Sequence, residues 1–261
     1  MIRIAAFGLL LALALALPVW LWSLHARDAS LADRAWSVLV AGPVTWYASE
    51  LVRDWRGALM LAVLLAWALR LAIHIVIRNR GHGEDRRYRV MRARHGPSFG
   101  VKSLYLVFGL QALLAWIVGL PLFAAFGHPT PLAPLDAAGL LLAVGGLVIE
   151  SIADAQLGRF LRERPPQGAV MDRGLWSWSR HPNYFGEACI WWGFGLMALA
   201  AAGWRGAWCL VSPAMMTWLL LKVSGVALLE QGISERRPAY RAYAARTSAF
   251  IPWPPRRDKA S

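Results

Sequence analysis

The chain has 261 residues, 57% of them hydrophobic, with 15 Trp and a net charge of +13. A soluble domain is nearer half apolar and seldom carries several long uncharged runs, so the composition excludes an ordinary soluble globule and indicates one polytopic, all-α membrane domain over residues 1–261. The positive charge sits in loops between apolar runs, which fits positive-inside orientation and anionic lipid headgroups rather than a nucleic-acid partner, and Cys189 and Cys209 lie inside apolar runs and make neither a disulfide framework nor a metal site.

Residues 4–24 form the first expected span; the Ala-Leu run after Arg3 has the look of a signal peptide, but no small-x-small cleavage site follows. The segment 25–34 carries Asp28, Asp33 and Arg34, and residues 35–49 form a weaker second span broken by Gly42-Pro43. Arg53, Asp54 and Arg56 read as a solvated helix end, whereas Asp28, Asp33 and Glu50 sit closer to lipid, where a carboxylate is costly. The third span, 57–77, holds Arg70 and His74, and Arg78 follows; the spacing of four makes one polar stripe. A lone His in a helix is more often a satisfied core residue than a catalyst, but an Arg one turn away favours a polar cavity.

Residues 78–102 contain eight Lys/Arg and read as a positive-inside loop or a phosphate-facing flap. The fourth span, 103–126, holds Gln111; the segment 127–135 has three Pro and no Lys or Arg. The fifth span, 136–153, ends with Glu150 and Asp154 four apart on one face. Arg159, Arg162, Arg164 and Arg173 follow, then the sixth span, a turn at 204–206, a seventh span at 207–229 with Glu230 at its end, and a basic tail. The three segments richest in Lys/Arg alternate with poor ones only if there are seven helices, which puts the N-terminus outside and the tail in the cytoplasm.

The organising stretch is Gly174–Glu187. Pro182 biases His181 away from helix and suits the first turn of one, so a membrane helix is expected to start at Pro182 or Asn183, at the water–lipid boundary. Its free N–H groups and positive dipole end suit phosphate, with Arg180 and His181 just outside. Asn183, Tyr184 and Glu187 fall on its first turns, and Glu187 lies inside the span, where an interfacial anchor alone does not account for it.

Arg180-His181-Pro182-Asn183-Tyr184-Phe185-Gly186-Glu187, preceded by Gly174-Leu175-Trp176, resembles the C-terminal motif of the steroid 5α-reductase family, and is most similar to its bacterial branch known only as a domain of unknown function. Asp28-Ala29-Ser30, Arg78-Asn79 with Gly83-Glu84-Asp85, Asp154 with Gln156-Leu157, Lys222-Val223-Ser224-Gly225 and Phe250-Ile251-Pro252 extend the resemblance nearly end to end. The resemblance implies seven helices, a bacterial inner membrane, NADPH, and reduction of a conjugated carbon–carbon double bond in a steroid- or isoprenoid-like substrate. It implies that Asn183, Tyr184 and Glu187 lie at the cofactor, Glu150 and Asp154 near nicotinamide and ribose, and Arg162 near the phosphates; Arg173, Arg180 and His181, by their position around the expected helix start, are expected to join Arg162 there. Residues 1–126 then form the lipid-substrate half and 127–261 the cofactor half. Where the steroid-reducing members polarise the substrate carbonyl with a Gln-Glu pair and a Tyr, this chain has Ser49-Glu50 and no Tyr beside His74, and Gly232 and Arg236 replace a His and a Tyr of the tail.

Hydride transfer to an electron-poor carbon builds negative charge on a conjugated oxygen, which needs a donor. Asp33 and Glu50 are the candidates from the second span, and His74 or Arg70 from the third. The rival readings are an S-adenosylmethionine-dependent methyltransferase of the isoprenylcysteine or phospholipid class, which shares the Arg-His-Pro-x-Tyr-x-Gly core, and a lipid-binding membrane protein without catalysis.

Overall fold

A computed structural model describes residues 1–52, 54–81, 83–166, 168–223, 226, 230 and 239–255. Arg53, His82, Ser224-Gly225, most of the seventh expected span beyond Val223, and Gly232 and Arg236 lie outside the described residues. The described chain is all-helical; its one sheet-like feature is an isolated bridge between Ser179 and Ser248. It divides into two compact units, Met1–Asp136 with Met197–Ser212, and Ala137–Leu196 with Pro213–Ser261.

In the first unit, α1 (Ile2–Ala26) ends at Arg27, whose φ of 51° breaks the helix, and α2 (Leu31–Leu51) packs back on it. The contact is close at Gly8, where any Cβ would meet the Tyr47 ring, and Trp116 donates to the Ala5 carbonyl at 2.9 Å. Helix α3 (Trp55–Arg78) is capped by Asp54, which accepts from the Gly57 N–H. The charged helix α4 (Arg86–His95) is capped by Asp85 and stopped by Gly96 at φ 55°, the left-handed region that glycine enters without steric cost. Then follow α5 (Phe99–Ser103), a π-helical turn, α6 (Leu110–Val118) and α7 (Leu120–Phe126). Asp33 of α2 meets Gln111 of α6, and Val44 of α2 meets Gly119 just after it, so the two helices run in the same direction.

Arg56 departs from the expectation of a solvated helix end. It is 1% exposed, and its guanidinium forks onto Asp136 (2.6 and 2.8 Å) while donating to Thr130 and the Pro131 carbonyl. The Pro-rich segment after α7 turns its carbonyls inward, which gives the buried guanidinium the partners its desolvation requires.

The second unit holds α8 (Pro134–Arg162) from Ala137 onward, α9 (Pro182–Ala202) through Leu196, α10 (Val211–Trp218) from Pro213, and α11 (Ala239–Arg246). Helix α9 starts at Pro182, as expected from the fixed φ of proline. Helices α8 and α9 touch backbone to backbone: a Cβ on Gly186 would lie 2.6 Å from the Gly146 carbonyl oxygen, and one on Gly193 2.5 Å from that of Gly139. Small residues at such spacing let membrane helices approach closely and gain packing where no hydrophobic drive acts between them.

Five stretches among the described residues are long and apolar enough to cross a membrane: Ile2–Ala26, Trp55–Arg78, Arg86–Phe126, Pro134–Arg162 and Pro182–Val223. Two differences from the expected seven have physical causes. Helix α2 forms, but Asp33, Arg34 and Glu50 within it lower its apolarity. The sixth and seventh expected spans form one unbroken run of 42 residues, yet that run folds back: Trp192 donates to Thr217 at 3.1 Å. In a straight helix those residues would be about 37 Å apart. The reversal follows Gly203, at φ 60°, and a 3-10 stretch, Gly203–Leu210.

Candidate functional site

The second unit collects most of the candidate residues. The close glycine contact brings the α8 face bearing Glu150 and Asp154 onto the start of α9. The Asn183 amide donates to Asp154 at 3.1 Å, and the Glu150 backbone lies against Gly186. Glu150, Asp154 and Glu187 are 3%, 8% and 8% exposed, so three carboxylates are buried around the first turns of α9. The ring of Tyr184 stacks on that of His181, with centroids 5.6 Å apart and planes parallel.

The loop before α9 is held on α8 from below. The Trp176 indole donates to the Ala153 carbonyl at 3.0 Å, and the Gln156 side chain accepts from the Leu175 N–H at 3.0 Å. Gly174, at φ 58°, leaves no room for a Cβ because Gln156 fills the space. The tail holds the same loop from the other side: Ser179 donates to the Phe250 carbonyl, the Arg180 N–H to Ser248, the Trp253 N–H to Trp178, and the Tyr243 hydroxyl to Trp176.

Arg180 is turned toward this tail. Its Nε lies 3.1 Å from Glu230, which also meets His181 Nε2 (3.1 Å) and accepts from the Tyr240 hydroxyl (3.1 Å). Burial lowers the His181 pKa below its ordinary value, partly offset by Glu230, and burial followed by Glu230 raises that of Tyr240. Glu230 and the tyrosine pair were not singled out from the sequence. A carboxylate ending a span and Tyr240-x-x-Tyr243 on one helical face were the signals available.

Beyond α8 the chain forms a cavity of about 340 Å³ lined by Phe160, Arg164, Pro165, Pro166, Met171 and Arg173, among others. Arg164, at φ 49°, ends the helix and turns the chain into Pro165-Pro166. Arg173 is exposed at this cavity, whereas the exposed Arg162 lies back along α8, its guanidinium 3.5 Å from where a Gly158 Cβ would be.

The three residues expected to serve the substrate separate. Asp33, in the first turn of α2, accepts from Tyr88 (2.7 Å), Gln111 (3.0 Å) and Arg87 (2.6 Å). Glu50 is exposed in the last turn of the same helix, about 25 Å away by helical rise. His74 is half-buried toward the end of α3. The charged segment around α4 is woven into this region: Glu84 takes both a fork from Arg92 and the Ala29 N–H, and Ser30 accepts from the Asp85 N–H. Tyr88 and Gln111 were not assigned a role from the sequence, because nothing local shows that they converge on Asp33. Buried nearby on α2, Ser37 is 1% exposed; its hydroxyl and the Gln111 carbonyl oxygen have no hydrogen-bond partner among the described residues.

All-helical architecture and five stretches among the described residues long and apolar enough to cross a membrane are the marks of a helical membrane protein. The chain belongs to the family described as protein of unknown function (DUF1295), which matches residues 19–247. It is 25% identical over 286 aligned residues to an uncharacterized protein of Schizosaccharomyces pombe, an alignment covering 94% of this chain and 78% of the relative. No solved structure matches the chain significantly.

Proposed function

We propose that this protein is an NADPH-dependent membrane reductase of a conjugated carbon–carbon double bond in a lipophilic, steroid- or isoprenoid-like substrate. The observation that carries the reading is the Asp154–Asn183 pair with Glu150 and Glu187 buried around it at the start of α9. Those groups fit the nicotinamide and ribose end of a dinucleotide, whose carboxamide and hydroxyls donate hydrogen bonds and need buried acceptors. The cavity after α8 fits the other end: Arg164 and Arg173 suit phosphate, and Phe160, Pro165, Pro166 and Met171 suit an adenine. Bound there, the nicotinamide supplies the hydride. The chain's own residues hold and orient it, and the buried cluster keeps water from the reacting atoms.

For the substrate, the first unit offers Tyr88 and Gln111 around Asp33, with the Ser37 hydroxyl and the Gln111 carbonyl oxygen available to a polar end group. Glu50, exposed at the other end of α2, does not join that group. The reading keeps seven crossings, counting α2 and both arms of the α9–α10 hairpin, with the N-terminus outside and the tail cytoplasmic; a reporter fused to the tail checks this.

Titration of the purified protein in detergent with NADPH, NADH and S-adenosylmethionine tests the reading. Saturable binding of NADPH, weakened in Arg173→Ala, is the expected result. Arg162→Ala should weaken NADPH more than NADH if that side chain reads the 2′-phosphate; equal loss removes it from that role. Binding of S-adenosylmethionine without dinucleotide turns the assignment to the methyltransferase class, and binding of neither favours a lipid-binding protein.

A further inference from the structure

We infer that Trp178, Ile251 and Trp253 form a membrane-docking edge that lays the C-terminal tail in the headgroup layer of the bilayer crossed by α9. This inference does not depend on the reductase reading. Its first support is depth. Helix α9 opens a run long and apolar enough to cross a membrane, and it begins at Pro182, directly after Arg180 and His181. The water–lipid boundary therefore falls near these residues, and Trp178 stands four positions before the helix, at the level where tryptophan's amphipathic ring is favoured.

The second support is that the tail is tied to the same level. The Trp253 N–H donates to the Trp178 carbonyl at 3.0 Å, the Arg180 N–H to Ser248 at 2.8 Å, and the Ser179 hydroxyl to Phe250 at 2.7 Å. Side chains then sort by direction. Phe250 turns inward to an edge-to-face contact with Phe185, whereas Trp178, Ile251 and Trp253 are 48%, 62% and 69% exposed. These large apolar side chains lie outside any spanning helix, so lipid of the same bilayer is the occupant that removes them from water without another protein. Charge agrees: Arg173 and Arg241 are exposed in the same unit, and exposed cations suit an anionic headgroup layer. Because the bonds that hold the tail also hold Ser179 and Arg180, lipid contact at Trp253 braces the loop that carries His181.

The test is depth measurement by nitroxide accessibility on the full-length protein. Cys189→Ala and Cys209→Ala remove the native thiols, and Trp253→Cys or Ile251→Cys carries the label. The protein sits in vesicles of phosphatidylcholine with a quarter phosphatidylglycerol, and depth is calibrated with lipids labelled at the headgroup and along the acyl chain. Both labels should fall between the headgroup and mid-chain standards, with the water-soluble nickel relaxant several-fold less effective than on a nitroxide free in buffer. Accessibility equal to the free nitroxide, a depth beyond mid-chain, or protection from both oxygen and nickel, which signals a protein cover, would each overturn the inference. The two label sites are independent, so a variant that misfolds leaves the other to decide.

Discussion

The Asn183 side-chain amide donates to Asp154 at 3.1 Å and joins the first turn of α9 to α8 across a span of 29 residues. The geometry satisfies two groups that burial would otherwise penalise. Asp154→Ala should keep the helices folded and weaken NADPH by about 1.5–3 kcal/mol, the size of a hydrogen bond to a charged group. Titration against wild type checks this; unchanged affinity would remove Asp154 from the cofactor.

Gly186 and Gly145 offer a matched pair. A Cβ on Gly186 would lie 2.6 Å from the Gly146 carbonyl oxygen and 2.7 Å from the Glu150 nitrogen, while one on Gly145 meets nothing within 4 Å. Gly186→Ala should therefore cost about 1–3 kcal/mol or more, since backbone cannot give way as a side chain does. Gly145→Ala should be neutral or slightly stabilising, because alanine is the better helix former. Thermal unfolding in detergent distinguishes the two.

Arg56→Met should destabilise the protein by about 3–5 kcal/mol, because Asp136 would keep a buried charge without its partner. The double variant Arg56→Met with Asp136→Leu should recover much of the loss. A double variant as unstable as the sum of the singles would show that the two side chains do not act as a pair.

His181 sets a pH dependence of stability. Burial holds its folded pKa below the ordinary value of 6.5, so the folded protein binds this proton less readily than the unfolded chain. Its contribution is complete above about pH 6.5 and is lost progressively as pH falls toward the lowered folded pKa. Unfolding midpoints measured down that range should fall with pH in wild type and fall less steeply in His181→Gln. An equal slope in both would assign the dependence to other groups.

Helix starts and faces were legible in the sequence where the cause is local. Pro182 fixes its own φ, so α9 begins there, and the spacing of Glu150 and Asp154 puts both on one face of α8. The buried state of Arg56 was not legible, because its partner Asp136 is 80 residues away and the carbonyls that complete its shell belong to a Pro-rich segment. The roles of Glu230, Tyr240 and Tyr243 were hidden for the same reason: each is an ordinary helix-end or helix-face residue until the tail returns to the motif loop. That Asp33 and Glu50 stand at opposite ends of one helix follows from its length alone.

By itself, then, the amino-acid sequence determined that this chain is helical, with several stretches apolar enough to cross a membrane and a helix start at Pro182, since hydropathy, charge placement and proline geometry act over a few residues. Only the tertiary structure decided which polar groups meet. Backbone contact at Gly146 and Gly186 sets Asp154 against Asn183, Glu230 meets Arg180 and His181, and the returning tail sets Tyr240 against Glu230 and Ser248 against Arg180. Such meetings depend on how closely helices approach and on where a distant segment comes back, and no local pattern encodes either.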